Sequence, residues 1–137
     1  PDGILVEAMA PQGVELMVGA KRHSAWGPVV MVGLGGVWVE ALGDVRLIPP
    51  DLAEAEIVDE LRKLRSAKLL RGFRGAEAVD LGAVAQVVAT VGRLVTEHPE
   101  IVELDINPLL ARPDGVTALD VLIVSGDDHI GETVSRA

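Results

Sequence analysis

The sequence contains no cysteine, which excludes a disulfide framework and thiolate chemistry. It has no tyrosine, and its aromatics are two tryptophans and one phenylalanine. A core must therefore come from Val, Leu, Ile and Ala, and with 49% apolar residues there are enough of them. Cations are scarce: 12 Lys and Arg stand against 21 Asp and Glu, for a net charge of −9. Such a surface repels a nucleic-acid backbone and argues against nucleic acid as a partner. No apolar run approaches the length that spans a membrane, and no signal peptide is visible. These absences fit a cytoplasmic protein with no membrane partner. They leave room for a nucleotide, because Mg2+ or a few local cations can offset its charge.

At 137 residues the chain is one domain or a piece of one. It begins at Pro1 and enters a strand almost at once, which reads as a fragment excised from a longer protein. Ile4 to Met9 reads as a buried strand and Val14 to Arg22 as a strand that alternates. Pro28 to Leu34 is a third strand, rich in valine. After Gly35-Gly36, Val37 to Leu42 is a fourth, and Gly43-Asp44 turns the chain into a short fifth, Val45 to Ile48. Asp51 is then expected to cap a helix, with Glu54 completing a capping box and Ile57, Val58, Leu61 and Leu64 forming the apolar stripe. Ser66 to Gly75 is irregular and basic. Asp80 caps a second helix, whose stripe is Leu81, Val84, Val88, Val91 and Val95 and which ends near His98-Pro99. This order predicts an α+β fold: a mainly antiparallel sheet with two helices on one face, the other face free for a site. The domain is assigned to residues 1–124, and 125–137 to a polar, frayed tail.

The most informative stretch is Glu103-Leu104-Asp105-Ile106-Asn107-Pro108-Leu109. Polar and apolar residues alternate, so Glu103, Asp105 and Asn107 project from one face of a strand. Arg112-Pro113-Asp114-Gly115 is a turn, and Val116 to Val124 reads as one returning strand with Asp120 at its centre. Pairing of the two strands would bring Asp120 close to Asn107 and Asp105. Three or four oxygen-bearing side chains would then converge, the donor type that a hard cation such as Mg2+ prefers. Acidic residues on the open face of a hairpin are also ordinary solvated surface. Asp120 favours the metal reading, because a lone carboxylate inside Ala118-Leu119-Asp120-Val121-Leu122-Ile123-Val124 is costly unless it is paired, hydrogen-bonded or metal-bound.

Other candidates are weaker. Glu7 and Glu15 are surface carboxylates, or else accept hydrogen bonds from ribose hydroxyls or help hold a cation. Arg22 ends a strand and is either solvated or faces phosphate. Gly33-Leu34-Gly35-Gly36 lies between strands and opens no helix, so it is a bulge or tight turn rather than a dinucleotide fingerprint. His23, His98 and His129 lack metal-ligand spacing, and no Ser/His/Asp arrangement is present.

Taken in order, Ile4-Leu5-Val6-Glu7-Ala8-Met9, Gly13-Val14-Glu15-Leu16, Gly27-Pro28-Val29-Val30, Gly33-Leu34-Gly35-Gly36-Val37, Gly72-Phe73-Arg74-Gly75, Glu103 to Leu109 and Ala118-Leu119-Asp120 resemble a known family. The resemblance is to the second (C-terminal) ATP-grasp lobe of the NDP-forming acyl-CoA synthetases, relatives of the succinyl-CoA synthetase β subunit. It covers about the first 124 residues. It implies that Asn107 and Asp120 are Mg2+ ligands, that Glu7 and Glu15 contact ATP or ADP, and that Asp105 lies beside a phosphorylated histidine of a partner domain. It also implies an acid–thiol ligase in which ATP phosphorylates that histidine and the phosphoryl group passes on through an acyl phosphate to a CoA thioester. The partners would be the first ATP-grasp lobe and the CoA-binding, phosphohistidine domain, so this piece alone is expected to be inactive. Where the family continues after Arg22 with aspartate, this chain has His23. The same region also occurs fused to an acetyltransferase domain in protein-lysine acetyltransferases, which makes a regulatory nucleotide-sensing module the alternative. A further expectation is that exposed sheet edges let the lobe form a homo-oligomer.

Overall fold

The computed structural model describes residues 13–34, 44–72, 75–126 and 131–135. The expected strands at 4–9 and 37–42 lie outside the described residues. Three strands come first: β1 (Val14–His23), β2 (Gly27–Leu34) and β3 (Val45–Ile48). Helices α1 (Glu54–Arg62), α2 (Ala67–Leu70) and α3 (Leu81–Glu97) follow. Four strands complete the described chain: β4 (Ile101–Arg112), β5 (Gly115–Ala118), β6 (Asp120–Ser125) and β7 (Gly131–Ser135). All seven join one antiparallel sheet in the order β3-β2-β1-β4-β6-β7, with β5 pairing to β4.

Alternation along the central strands decides which face is covered. Leu16, Val18 and Ala20 of β1, Val30 and Val32 of β2, and Leu104 and Ile106 of β4 are buried against the helices. Helix α3 supplies the matching stripe of Val84, Val88, Val91 and Val95, at the spacing expected for one helical face. It starts where the sequence indicates: Asp80 accepts the Ala83 backbone N–H at 3.0 Å. Gly92 lets α3 approach the chain before α1, since a Cβ there would lie 2.3 Å from the Pro50 carbonyl oxygen. Asp44, at the entry to β3, ties that strand to the α1–α2 connection. It accepts the backbone N–H groups of Arg65 and Ser66 and the Ser66 hydroxyl. Burial alone would raise its pKa, but these donors outweigh burial and hold the carboxyl below the usual range.

Four expectations change. Helix α1 begins at Glu54 behind Ala53, with no side-chain cap. Asp51 is inside a turn closed by the Leu52 N–H on the Pro49 carbonyl, so it cannot serve the helix. The basic segment after Ser66 includes a helical turn, α2. The tail is not wholly frayed, because β7 pairs with β6 along its length. The strand expected over Val116 to Val124 is two strands, divided at Leu119, whose N–H donates to the Pro108 carbonyl. Asp120 therefore opens β6 as an exposed residue, not a buried one at mid-strand. The break lies opposite an irregularity in β4: from Val18 to Leu16, β1 advances two residues while β4 advances three, from Ile106 to Leu109. The extra residue falls in the Asn107-Pro108 segment, whose peptide bond is cis.

Candidate functional site

The helix-free face of the sheet gathers the polar residues. On β1 these are Glu15 and Lys21, with Met17 and Gly19 between them; on β4 they are Glu103 and Asp105. Register places Lys21 opposite Glu103 and Gly19 opposite Asp105. On the far side of β4, Asp105 pairs with Leu122 and Ile106 with Val121. Val121 packs against the helix-side core, so Asp120, the next residue, takes the face of Asp105. The β4–β6 ladder ends at the Ile106–Val121 pair, and Asn107 and Asp120 are the next residues beyond it on the two strands.

The absent side chain of Gly19 opens a hollow of about 230 Å³ beside Asp105, bounded by Met17, Lys21, Met31 and Glu103. A Cβ on Gly19 would lie 3.6 Å from the Asp105 carboxylate. The carboxyl of Asp105 is pushed up, chiefly by loss of solvent and further by the charges of Glu103 and Asp120; Lys21 opposes this. Among the described residues, Glu103, Asp105, Asn107 and Asp120 make no side-chain hydrogen bond or ion pair within the lobe. Their oxygens remain free for something outside it.

This donor set fits a divalent cation of the Mg2+ type, though not as the cage of three or four side chains expected from the sequence. No group of three or more His, Asp or Glu side chains among the described residues is placed to hold a metal. Mg2+ commonly takes one or two protein carboxylates, with water and substrate phosphates filling its other positions. One carboxylate, Asp120, and one amide oxygen, Asn107, suit that pattern.

Glu15 shares the face but stands opposite Leu110, four residues along β1 from Gly19 and hence about 13 Å away. Glu7 lies outside the described residues. Arg22 corrects the phosphate reading given to it. Its parity places it on the helix side of β1, where its guanidinium donates to the carbonyls of Val95 and His98 at the end of α3 and to that of Ile101 at 3.2 Å. It closes the helix C-terminus instead of meeting the open face. The residue that sequence reading left out is Lys21, which the register sets opposite Glu103. The period-two pattern from Gly19 is the signal that puts it on the face of Asp105.

A helix-backed antiparallel sheet whose open face offers uncommitted oxygen donors is consistent with an ATP-grasp lobe. Residues 1–124 match the model of the ATP-grasp domain. The chain belongs to that family, and its homologues are ADP-forming acyl-CoA synthetases. It is 43% identical over 125 residues to a trans-feruloyl-CoA synthase from an unknown prokaryotic organism, covering 90% of this chain and 18% of that protein. It is 37% identical over 122 residues to the β subunit of an ADP-forming acetate–CoA ligase I from Pyrococcus furiosus, covering 89% of this chain and 53% of the subunit. Among solved structures, the dinucleotide-forming acetyl-coenzyme A synthetase 1 of Ca. Korarchaeum cryptofilum, in complex with coenzyme A and Mg-AMPPCP, superposes with a TM-score of 0.81 at 41% identity. That match covers 85% of this chain and 55% of the other. This chain thus spans between about a fifth and about half of the relatives it matches. The acetyltransferase-fused alternative draws no support from these relatives. No helix among the described residues is long and apolar enough to cross a membrane.

Proposed function

We propose that this lobe is the nucleotide- and Mg2+-binding half of an ADP-forming acyl-CoA synthetase, which interconverts acyl-CoA, ADP and phosphate with acid, CoA and ATP. The observation that carries the reading is Asp105 on the helix-free face beside the charges of Glu103 and Asp120, with Asn107 next along β4, their side-chain oxygens unspent among the described residues, within the stretch that matches the ATP-grasp domain. The γ-phosphoryl group would leave ATP for a histidine nitrogen on a partner domain, releasing ADP. The phosphohistidine would then give its phosphoryl group to the carboxylate of the acid, and the CoA thiolate would displace phosphate to form the thioester. The Korarchaeum relative holds a nucleotide analogue with Mg2+ and has a phosphohistidine segment, which supports this sequence of steps.

Within that scheme Asn107 and Asp120 hold the cation, which when bound neutralises charge on the transferring phosphates. Asp105 faces the incoming histidine and orients its ring, which leaves one nitrogen directed at the phosphate. Glu15, and Glu7 before it, contact the nucleotide. Gly19 keeps the floor of the hollow clear. The partners are the first ATP-grasp lobe and the domain that carries the histidine and binds CoA.

The test is a titration of Mg2+ and ATP into the full-length parent, comparing wild type with Asp120→Ala and Asn107→Ala. Nucleotide binding and the formation of ADP and acyl-CoA are followed together. The reading predicts that wild type turns over and that both variants lose Mg·ATP-dependent activity while remaining folded. Binding without turnover by wild type would replace it with a sensing role. Absence of both would leave the lobe structural.

A further inference from the structure

Among the described residues, the large hydrophobic side chains left exposed are Trp26, Leu47 and Val102. Trp26 is 79% exposed, in a chain that has three aromatics in all. Its position at the tip of the β1–β2 hairpin is fixed from several directions. Its indole stacks on the His23 imidazole, with ring centroids 4.4 Å apart and planes within 16°. The His23 Nδ1 accepts the Ala25 N–H at 3.1 Å, which orients the imidazole. His23 pairs with Gly27, which turns the chain at φ 77°. One residue back, Arg22 is anchored on the carbonyls that end α3. The tip is thus preset, and much of the side-chain ordering that docking normally costs is already in place.

The second exposed residue lies at the same end of the sheet. From Ile101 to Glu103, β4 advances two residues while β6 advances one, so Val102 sits in a bulge. Bulges re-aim side chains, and Val102 is left 37% exposed between the half-buried Ile101 and Glu103. Glu103 follows Val102 directly, and Lys21, its partner across the strands in the last pair of the acidic face, stands two residues before His23. An aromatic and an aliphatic side chain therefore flank the end of the face where phosphoryl transfer is placed above.

We propose that the Trp26–His23 tip, with Val102, is a docking knob that an apolar socket on another domain of the longer protein receives when that domain presents its histidine to the acidic face. The inference rests on the function proposed above. A domain of the same protein is the fitting occupant for two reasons. This chain spans only 18% of the trans-feruloyl-CoA synthase it matches, so most of a comparable polypeptide lies outside it. A second copy of this lobe would bring a further net charge of −9, which opposes its association here. Tryptophan is also the side chain most often found as a central anchor in such contacts.

The experiment is hydroxyl-radical footprinting of the full-length parent, read at Trp26 by mass spectrometry, with and without Mg·ATP and acyl-CoA. Oxidation of the same residue in the denatured parent is the reference. Docking predicts that in at least one ligand state Trp26 is oxidised several-fold more slowly than in the reference, independently of protein concentration. Trp26→Ala should then slow single-turnover histidine phosphorylation by about tenfold, as loss of a buried aromatic anchor would, with the ATP affinity held and Trp26→Phe restoring most of the rate. The proposal falls if Trp26 reacts at the denatured rate in every state, if protection grows with protein concentration, or if Trp26→Ala phosphorylates at the wild-type rate. Should wild type show no phosphorylation at all, the proposed function fails, and the footprint still decides whether the tip is docked.

Discussion

Asp105 and Arg22 show how parity along a strand assigns opposite duties to charged residues. Asp105 is on the open face and is disfavoured as an anion by burial, then by Glu103 and Asp120. Its folded-state pKa lies above its unfolded one, so the folded state binds the proton more tightly. Its contribution to stability is thus greatest below the unfolded carboxylate pKa and is lost as pH rises through the raised folded value. Asp105→Asn should therefore raise the melting temperature of the ligand-free parent at neutral pH and narrow the gap between acidic and neutral melting temperatures. The same variant should slow phosphoryl transfer to the histidine by about a hundredfold, as misplacing a reacting group by about 1 Å can. A fall in melting temperature at neutral pH would show that Asp105 is held by a partner in the resting protein. Arg22 makes the opposite case. Three carbonyls accept from it, and hydrogen bonds to a charged group contribute about 1.5–3 kcal/mol. Arg22→Ala should lower stability by roughly that amount in denaturant unfolding while the KM for ATP stays put. A large rise in that KM with stability unchanged would return Arg22 to the phosphate.

Among the elements, α3 and the β4–β6 pair differ in how much of them could be read in advance. Helix α3 was legible because its signals are local: Asp80 before the first turn, a stripe every three or four residues, and His98-Pro99 at its end. For β4, the alternation correctly places Glu103 and Asp105 on one face. The sequence does not reveal the extra residue near Asn107-Pro108 or the matching break at Leu119, because a bulge is a relation between two strands. That is also why Asp120 seemed buried at mid-strand and proves to be exposed at a strand start. Asp51 misled for a related reason: the Pro49–Leu52 turn claims it before the helix can. Close approach between elements is equally hidden, as Gly92 shows. Alanine there would favour the helix by up to about 1 kcal/mol, yet its Cβ would lie 2.3 Å from the Pro50 oxygen. Backbone must move to admit it, so overpacking should win, and Gly92→Ala is expected to cost about 1–3 kcal/mol. Chemical denaturation of the parent measures this, and a stabilised variant would mean that the turn after β3 yields freely.

For the whole lobe, the separation of its two faces accounts for its chemistry. The helices cover one side of the sheet with an aliphatic core that needs no aromatics. The other side carries oxygen donors that do nothing for the fold and, in the case of Asp105, act against it. A net charge of −9 adds to that cost, which a divalent cation and its nucleotide would offset only when both are present. Binding to the folded state alone stabilises by mass action, by about 2.7 kcal/mol at a ligand concentration a hundred times the Kd. Mg2+ with a non-hydrolysable ATP analogue should accordingly raise the melting temperature of the parent, more than either component alone. Removing Mg2+ with a chelator should reverse the gain. Asp120→Ala should abolish most of the increment without lowering the ligand-free melting temperature, since the Asp120 side chain is exposed and makes no hydrogen bond or ion pair among the described residues. An Asp120→Ala protein that kept the full Mg2+-dependent increment would place the cation elsewhere in the parent and leave this face to serve the partner domain alone.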